Sequence, residues 1–154
     1  MDREPLQTVD LKELCETLLE AHLDAATAKS IDLGLDVQSV HVSGHAWLLR
    51  ELLGNLSDNA SQYTPAGGAV TLRCGRAPDN GAAFLEVEDD GPGVPFEERQ
   101  RVLARFYRLP CTVSQGNGLG LAIVDEVARV HHGLLDVGSA RGGRGARFTL
   151  VFPA

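Results

Sequence analysis

Between residues 47 and 64 the chain places Leu49, Leu52, Leu53, Leu56 and Ala60 at the i, i+3, i+4, i+7 spacing of a helix with one apolar face. Upstream, Leu11, Leu14, Cys15, Leu18 and Leu19 form a second stripe of this kind. Asp10 stands before it as a helix N-cap, with Glu13 three residues on, so the pattern predicts a helix from residue 11 to about residue 28. Alternation of apolar with polar or small residues predicts short strands at 31–35 and 40–42. Two longer strands follow at 69–74 and 82–88, joined through Asn80-Gly81, a hairpin signal. A short helix is expected at 96–104 and a loop at 109–115. A further helix opens at 116–121 and buries Ile123, Val124, Val127 and Val130. Strands at 134–137 and 146–152 close the chain. Helices interleaved with hairpin strands predict an α/β two-layer sandwich, with about three helices on one face of a mixed sheet.

Composition narrows the classes of function. One domain over residues 1–154 accommodates the length, and 44% hydrophobic with 23% charged residues is ordinary for a globular protein. The acidic balance, 21 Asp and Glu against 14 Lys and Arg, argues against nucleic acid as a partner. No apolar run is long enough to span a bilayer, and the opening Met-Asp-Arg-Glu-Pro has no signal-peptide core. Cys15, Cys74 and Cys111 are widely spaced and read as free thiols. His131 and His132, at a helix end before Gly133, read as partners of the C-terminal helix dipole rather than as metal ligands.

Three stretches carry candidate chemistry. Asn55 and Asn59, with Gln62 beside them, fall on the shoulder of the apolar face of the 47–64 helix. They are either satisfied amides on a wet flank or oxygens turned toward a ligand or a hard cation such as magnesium. Asp89 ends the strand in which Leu85 and Val87 point inward, so its carboxylate turns inward too. It is either a turn residue before Gly91-Pro92-Gly93 or an acceptor for an amine such as that of adenine. Gly116, Gly118 and Gly120 precede a helix, an arrangement that can cradle phosphate, but no Lys-Ser/Thr follows as in a Walker loop.

Taken together these stretches resemble the catalytic, ATP-binding domain of bacterial two-component sensor histidine kinases. Asn55-Leu-Ser-Asp-Asn59-Ala-Ser-Gln-Tyr63-Thr is similar to the family's N box, and Asp89-Asp-Gly91-Pro-Gly93 to its first glycine box. Arg105-Phe106-Tyr107-Arg108 is similar to the F box, and Gly116-Asn-Gly118-Leu-Gly120-Leu to the second glycine box. The resemblance spans about residues 9–153 and implies a Bergerat fold, shared with gyrase, heat-shock chaperone and mismatch-repair ATPases.

It implies that Asn59, assisted by Asn55, binds Mg2+ and that Tyr63 packs near the adenine of ATP. Asp89 would accept from the adenine amine, with Gly91, Gly93 and Val94 shaping that wall. Gly116, Gly118, Leu119, Gly120 and Leu121 would meet the phosphates, residues 109–115 would form a lid, and Phe106 would hinge it. Gln62 stands where the family usually has a basic residue, a phosphate contact that Arg105 or Arg108 would replace. Ala146 stands where a threonine is common, and the lid is short. Gyrase-type ATPases carry a Glu where Asn55 stands. No histidine here has the setting of the family's phosphoacceptor, which lies on a separate helical hairpin. The implied partners are that hairpin and, downstream, a response regulator. Residues 1–8 would be a remnant of the linker from the hairpin. The domain would be soluble, monomeric by itself and cytoplasmic, its parent in the inner membrane.

Overall fold

The computed structural model describes residues 6–64, 66–90, 120–139 and 145–153, the side chains of Gln62, Tyr63, Gly120, Leu121 and Ser139 aside. The sequence expectations for 96–104 and 109–115, and for the glycines at 91–118, lie outside the described residues. A two-stranded sheet pairs β1 (Gln7–Asp10) antiparallel with β3 (His41–Gly44). The main sheet has the order β2-β4-β5-β7-β6, from β2 (Asp32–Val37), β4 (Ala69–Arg76), β5 (Ala83–Asp89), β7 (Ala146–Val151) and β6 (Leu134–Ser139). Only β2 and β4 run parallel; the other neighbours are antiparallel, so the sheet is mixed and mostly antiparallel. Three described helices, α1 (Leu11–Ala28), α2 (Ala46–Tyr63) and α3 (Gly120–Val130), complete the sandwich.

Local chemistry sets these elements. Asp10 sits in extended conformation before α1, and its Oδ1 accepts from the Lys12 and Glu13 amides at 3.0 and 3.3 Å, satisfying two donors the helix start would otherwise orphan. The β4–β5 hairpin closes through Ala77 N–H to the Ala82 carbonyl, with Gly81 at φ +72, a conformation that its lack of a side chain permits. Leu49, Leu52, Leu53 and Leu56 of α2 are buried against Val70 and Leu72 of β4, Leu85 and Val87 of β5, and Phe148 and Leu150 of β7. Each such side chain removed from water contributes about 1.5–3 kcal/mol. Cys15 and Cys74 are buried free thiols within this core. Cys15 is pushed above its ordinary pKa by its hydrogen bond with Cys74 and by burial.

α3 corrects one expectation. Val124, Val127 and Ala128 face the core, whereas Ile123 and Val130 are 41% and 47% exposed. Of the expected stripe 123-124-127-130, Val124 and Val127 are buried, and the inward face turns to 124-127-128-131, because buried His131 continues it with two hydrogen bonds.

The opposite face of the sheet is polar yet largely covered by its own side chains. Arg73 of β4 bonds Glu88 at 2.8 Å, Asp36 at 3.0 Å and also Glu86, while Thr149 donates to Glu86 at 2.7 Å. Burial works against the Arg73 charge, but its hydrogen bonds to Glu88, Asp36 and Glu86 hold its pKa above the ordinary value.

Candidate functional site

Asp89 ends β5, the middle strand of the main sheet, and lies on the same face as Leu85 and Val87, packed toward the helices. The two-residue repeat of a strand forces this placement. At 4% exposure a carboxylate needs donors, and the Ala146 N–H at the start of β7 supplies one to Oδ1 at 3.2 Å. Gly145 makes that approach possible. Its φ is +84, and a Cβ there would sit 1.9 Å from the Asp89 carbonyl oxygen. The next residue, Asp90, turns outward, and its Oδ1 accepts from Ala69 N–H at 3.0 Å, tying the end of β5 to the start of β4. The strand end is therefore braced on both sides.

Helix α2 packs on β5, and its wet shoulder carries Asn55 and Asn59, both half-buried. They stand about 6 Å apart along the axis, one turn and a little more. Asn55 donates from Nδ2 to the Glu51 carbonyl at 2.8 Å. Its nitrogen is thereby engaged with the helix, and its oxygen is the group it can present to a cation or a phosphate-bound water. Two amide oxygens one turn apart suit a hard cation such as Mg2+, which prefers oxygen donors and completes its shell with water and phosphate. Among the described residues no cluster of three or more His, Cys, Asp or Glu could hold a metal by itself.

Of the site residues expected from the sequence, the structure describes Asn55 and Asn59 on α2 and Asp89 at the end of β5, two elements that pack together. Gly120 and Leu121 open α3, which packs against α2, and Gln62 and Tyr63 lie in the last turn of α2. Gly91, Gly93, Val94, Arg105, Phe106, Arg108, Gly116, Gly118 and Leu119 lie outside the described residues. Ala146 was singled out only for standing where a threonine is common, and neither its amide nor Gly145 was tied to Asp89. The run Gly142-Gly143-Arg144-Gly145 before the last strand is the signal that could have found them.

Residues 44–154 match the family described as "Histidine kinase-, DNA gyrase B-, and HSP90-like ATPase". The chain is 39% identical over 151 residues to the sensor protein kinase PmrB of Pseudomonas aeruginosa, covering 97% of this chain and 31% of PmrB. A solved structure of the mycobacterial sensor histidine kinase MprB superposes with a TM-score of 0.81 at 34% identity, covering 96% of this chain and 97% of that one. Full-length ShkA in complex with AMPPNP gives a TM-score of 0.80 at 31% identity, covering 99% of this chain and 32% of that one. The chain spans about a third of the length of the curated relatives it matches, 31% of PmrB and 32% of the Synechocystis sensor histidine kinase RppB.

Proposed function

The chain belongs to the histidine kinase-, DNA gyrase B- and HSP90-like ATPase family, and we propose that it is the part of a sensor histidine kinase that binds magnesium–ATP and delivers the γ-phosphoryl group to a histidine on a separate helical-hairpin domain. The observation that carries this reading is the buried, braced Asp89 carboxylate at the end of β5, the strand on which the amide-bearing helix α2 packs. A buried acceptor is a fit for the exocyclic amine of adenine and a misfit for the guanine carbonyl oxygen at the same place. Asn59 and Asn55 would hold Mg2+, which when bound neutralises charge on the phosphates. The N–H groups that open α3 at Gly120 and Leu121 would face those phosphates, as the start of a helix favours anions.

Transfer is favoured over hydrolysis by the chemistry of Asn55. A carboxamide has no basic site to take a proton from water, so no general base for a hydrolytic attack stands at that position. In the transfer an imidazole nitrogen of the acceptor forms the N–P bond as the γ-phosphorus leaves the β-phosphate oxygen, and ADP departs. The acceptor comes from elsewhere. His131 is buried with both ring nitrogens engaged, so it is unfit to attack. The partners are the phosphoacceptor hairpin and, downstream, a response regulator, and the domain works on the cytoplasmic side of a membrane-held parent.

Incubation with γ-labelled ATP and magnesium should leave this chain unlabelled and label an added acceptor hairpin on its histidine. Stoichiometric label on His131 or His132, or phosphate release with no labelled hairpin, would overturn the transfer reading.

A further inference from the structure

The end of α3 and the beginning of α2 meet at one side chain. His131 follows the last turn of α3 and is 6% exposed. Its Nδ1 lies 2.9 Å from the Val127 carbonyl, and its Nε2 accepts from the His45 N–H at 3.0 Å. A carbonyl can only accept and an N–H can only donate, so the ring is held as the neutral tautomer with its proton on Nδ1. Around it the packing is close. The ring stands edge-on to Phe152 with centroids 6.3 Å apart and edge-on to His45 at 5.6 Å. A Cβ on Gly44 would come within 2.8 Å of the ring. His132 turns the chain at φ +55, and the Gly133 N–H closes back on the Ala128 carbonyl at 2.9 Å, fixing where His131 sits.

His45 is the N-cap of α2 but has no side-chain cap bond of its own. The imidazole of another helix thus does what a capping-box side chain would do, accepting from the N-cap amide. The pin joins the N-terminus of α2 to the C-terminus of α3. The site-bearing ends of the two helices, Asn55 to Asn59 and the α3 start, lie at their other ends, about 15 Å away along α2. A swing about the pin displaces those ends relative to each other.

We infer that His131 is a positioning residue, which in its neutral form keys α2 to α3 and so sets the spacing between the Asn55–Asn59 shoulder and the start of α3. The inference rests on the nucleotide reading above for its effect on ligand, but not for the pin itself. Protonation at Nε2 turns the acceptor into a donor facing the His45 N–H, and the pin is lost. Two titratable groups face the ring, His45 at the N-cap of α2 and His132 from its own turn, while β3 presents Gly44 and the residue after β7 is Phe152. Burial first, with His45 and His132 adding to it, holds the His131 pKa below its ordinary value against the pull of the Val127 carbonyl. A base whose pKa is depressed on folding binds more protons when unfolded. Its stabilising contribution is therefore complete above about pH 6.5 and is lost as the pH falls through the lower, folded value.

The test compares the wild type with His131→Gln and His131→Asn, by thermal unfolding and by calorimetric titration with magnesium–ATP, at pH 7.5 and 5.5. Gln reaches the Nε2 position with an oxygen that accepts and does not titrate; Asn reaches only the Nδ1 position. His131→Gln should unfold near the wild-type temperature at pH 7.5 and should lose less stability than wild type at pH 5.5. His131→Asn should be less stable at both. Magnesium–ATP affinity should fall about three- to tenfold in His131→Asn and be retained in His131→Gln. On going to pH 5.5 the wild type should lose more affinity than His131→Gln, in which ATP and the other histidines titrate equally. If Gln and Asn variants unfold alike, or Gln follows the wild-type pH dependence, there is no pin. If the unfolding order holds but both variants bind magnesium–ATP as wild type does, the positioning role fails. If wild type itself binds none, the nucleotide reading fails while the unfolding order still decides the pin.

Discussion

Asp89→Asn separates a turn residue from a nucleotide-recognising one. The carboxylate is buried and receives the Ala146 amide, and Asn keeps an oxygen for that amide, so the domain should still fold. What Asn loses is the charge behind a bond to the adenine amine, costing roughly 1.5–3 kcal/mol, or about 10–150-fold in affinity. Titration of the variant with ATP checks the magnitude, and unchanged ATP affinity would reduce Asp89 to a structural role. The inward turn of Asp89 was legible in the sequence, because a strand alternates strictly and Leu85 and Val87 set its phase. Its brace was not legible, since Gly145 lies 56 positions away and reveals itself only when β7 is laid against β5.

Helices were the most readable elements, because their stripes repeat over about two to three turns. Asp10 was legible as a cap for the same reason, with its apolar stripe beginning one residue later. Asp10→Ala should cost about 0.5–2 kcal/mol of stability, read from denaturant unfolding, by orphaning the Lys12 and Glu13 amides. β1 was not read as a strand, since four residues give too few alternations to distinguish a strand from a linker. Val124 and Val127 were read correctly in α3, but Ile123 and Val130 fit an apolar stripe as well as Ala128 does; a buried histidine broke the tie. On the far sheet face, Glu86 and Glu88 are buried around Arg73, which the strand alternation alone does not reveal. Arg73→Met would take from Glu86 and Glu88 the guanidinium they share, leaving Arg147 at 3.9 Å from Glu86. It should lower stability by roughly 3 kcal/mol in unfolding experiments.

At the scale of the whole molecule, the sandwich carries Asp89 on β5 and Asn55 and Asn59 on α2, which packs on β5 and on α3. The core behind them is continuous from α1 to β7, so the strand end and the helix shoulder are presented by a rigid support rather than by loops alone. The family was readable from four motifs in the sequence, and the match over residues 44–154 bears it out. The direct test is calorimetric titration of this chain with ATP, with and without magnesium, and with GTP and adenosine. One ATP per chain, tightened by magnesium and preferred over GTP by at least about tenfold, is the predicted result. Adenosine should bind weakly and without regard to magnesium. No saturable heat with magnesium–ATP, or equal affinity for ATP and GTP, would contradict it.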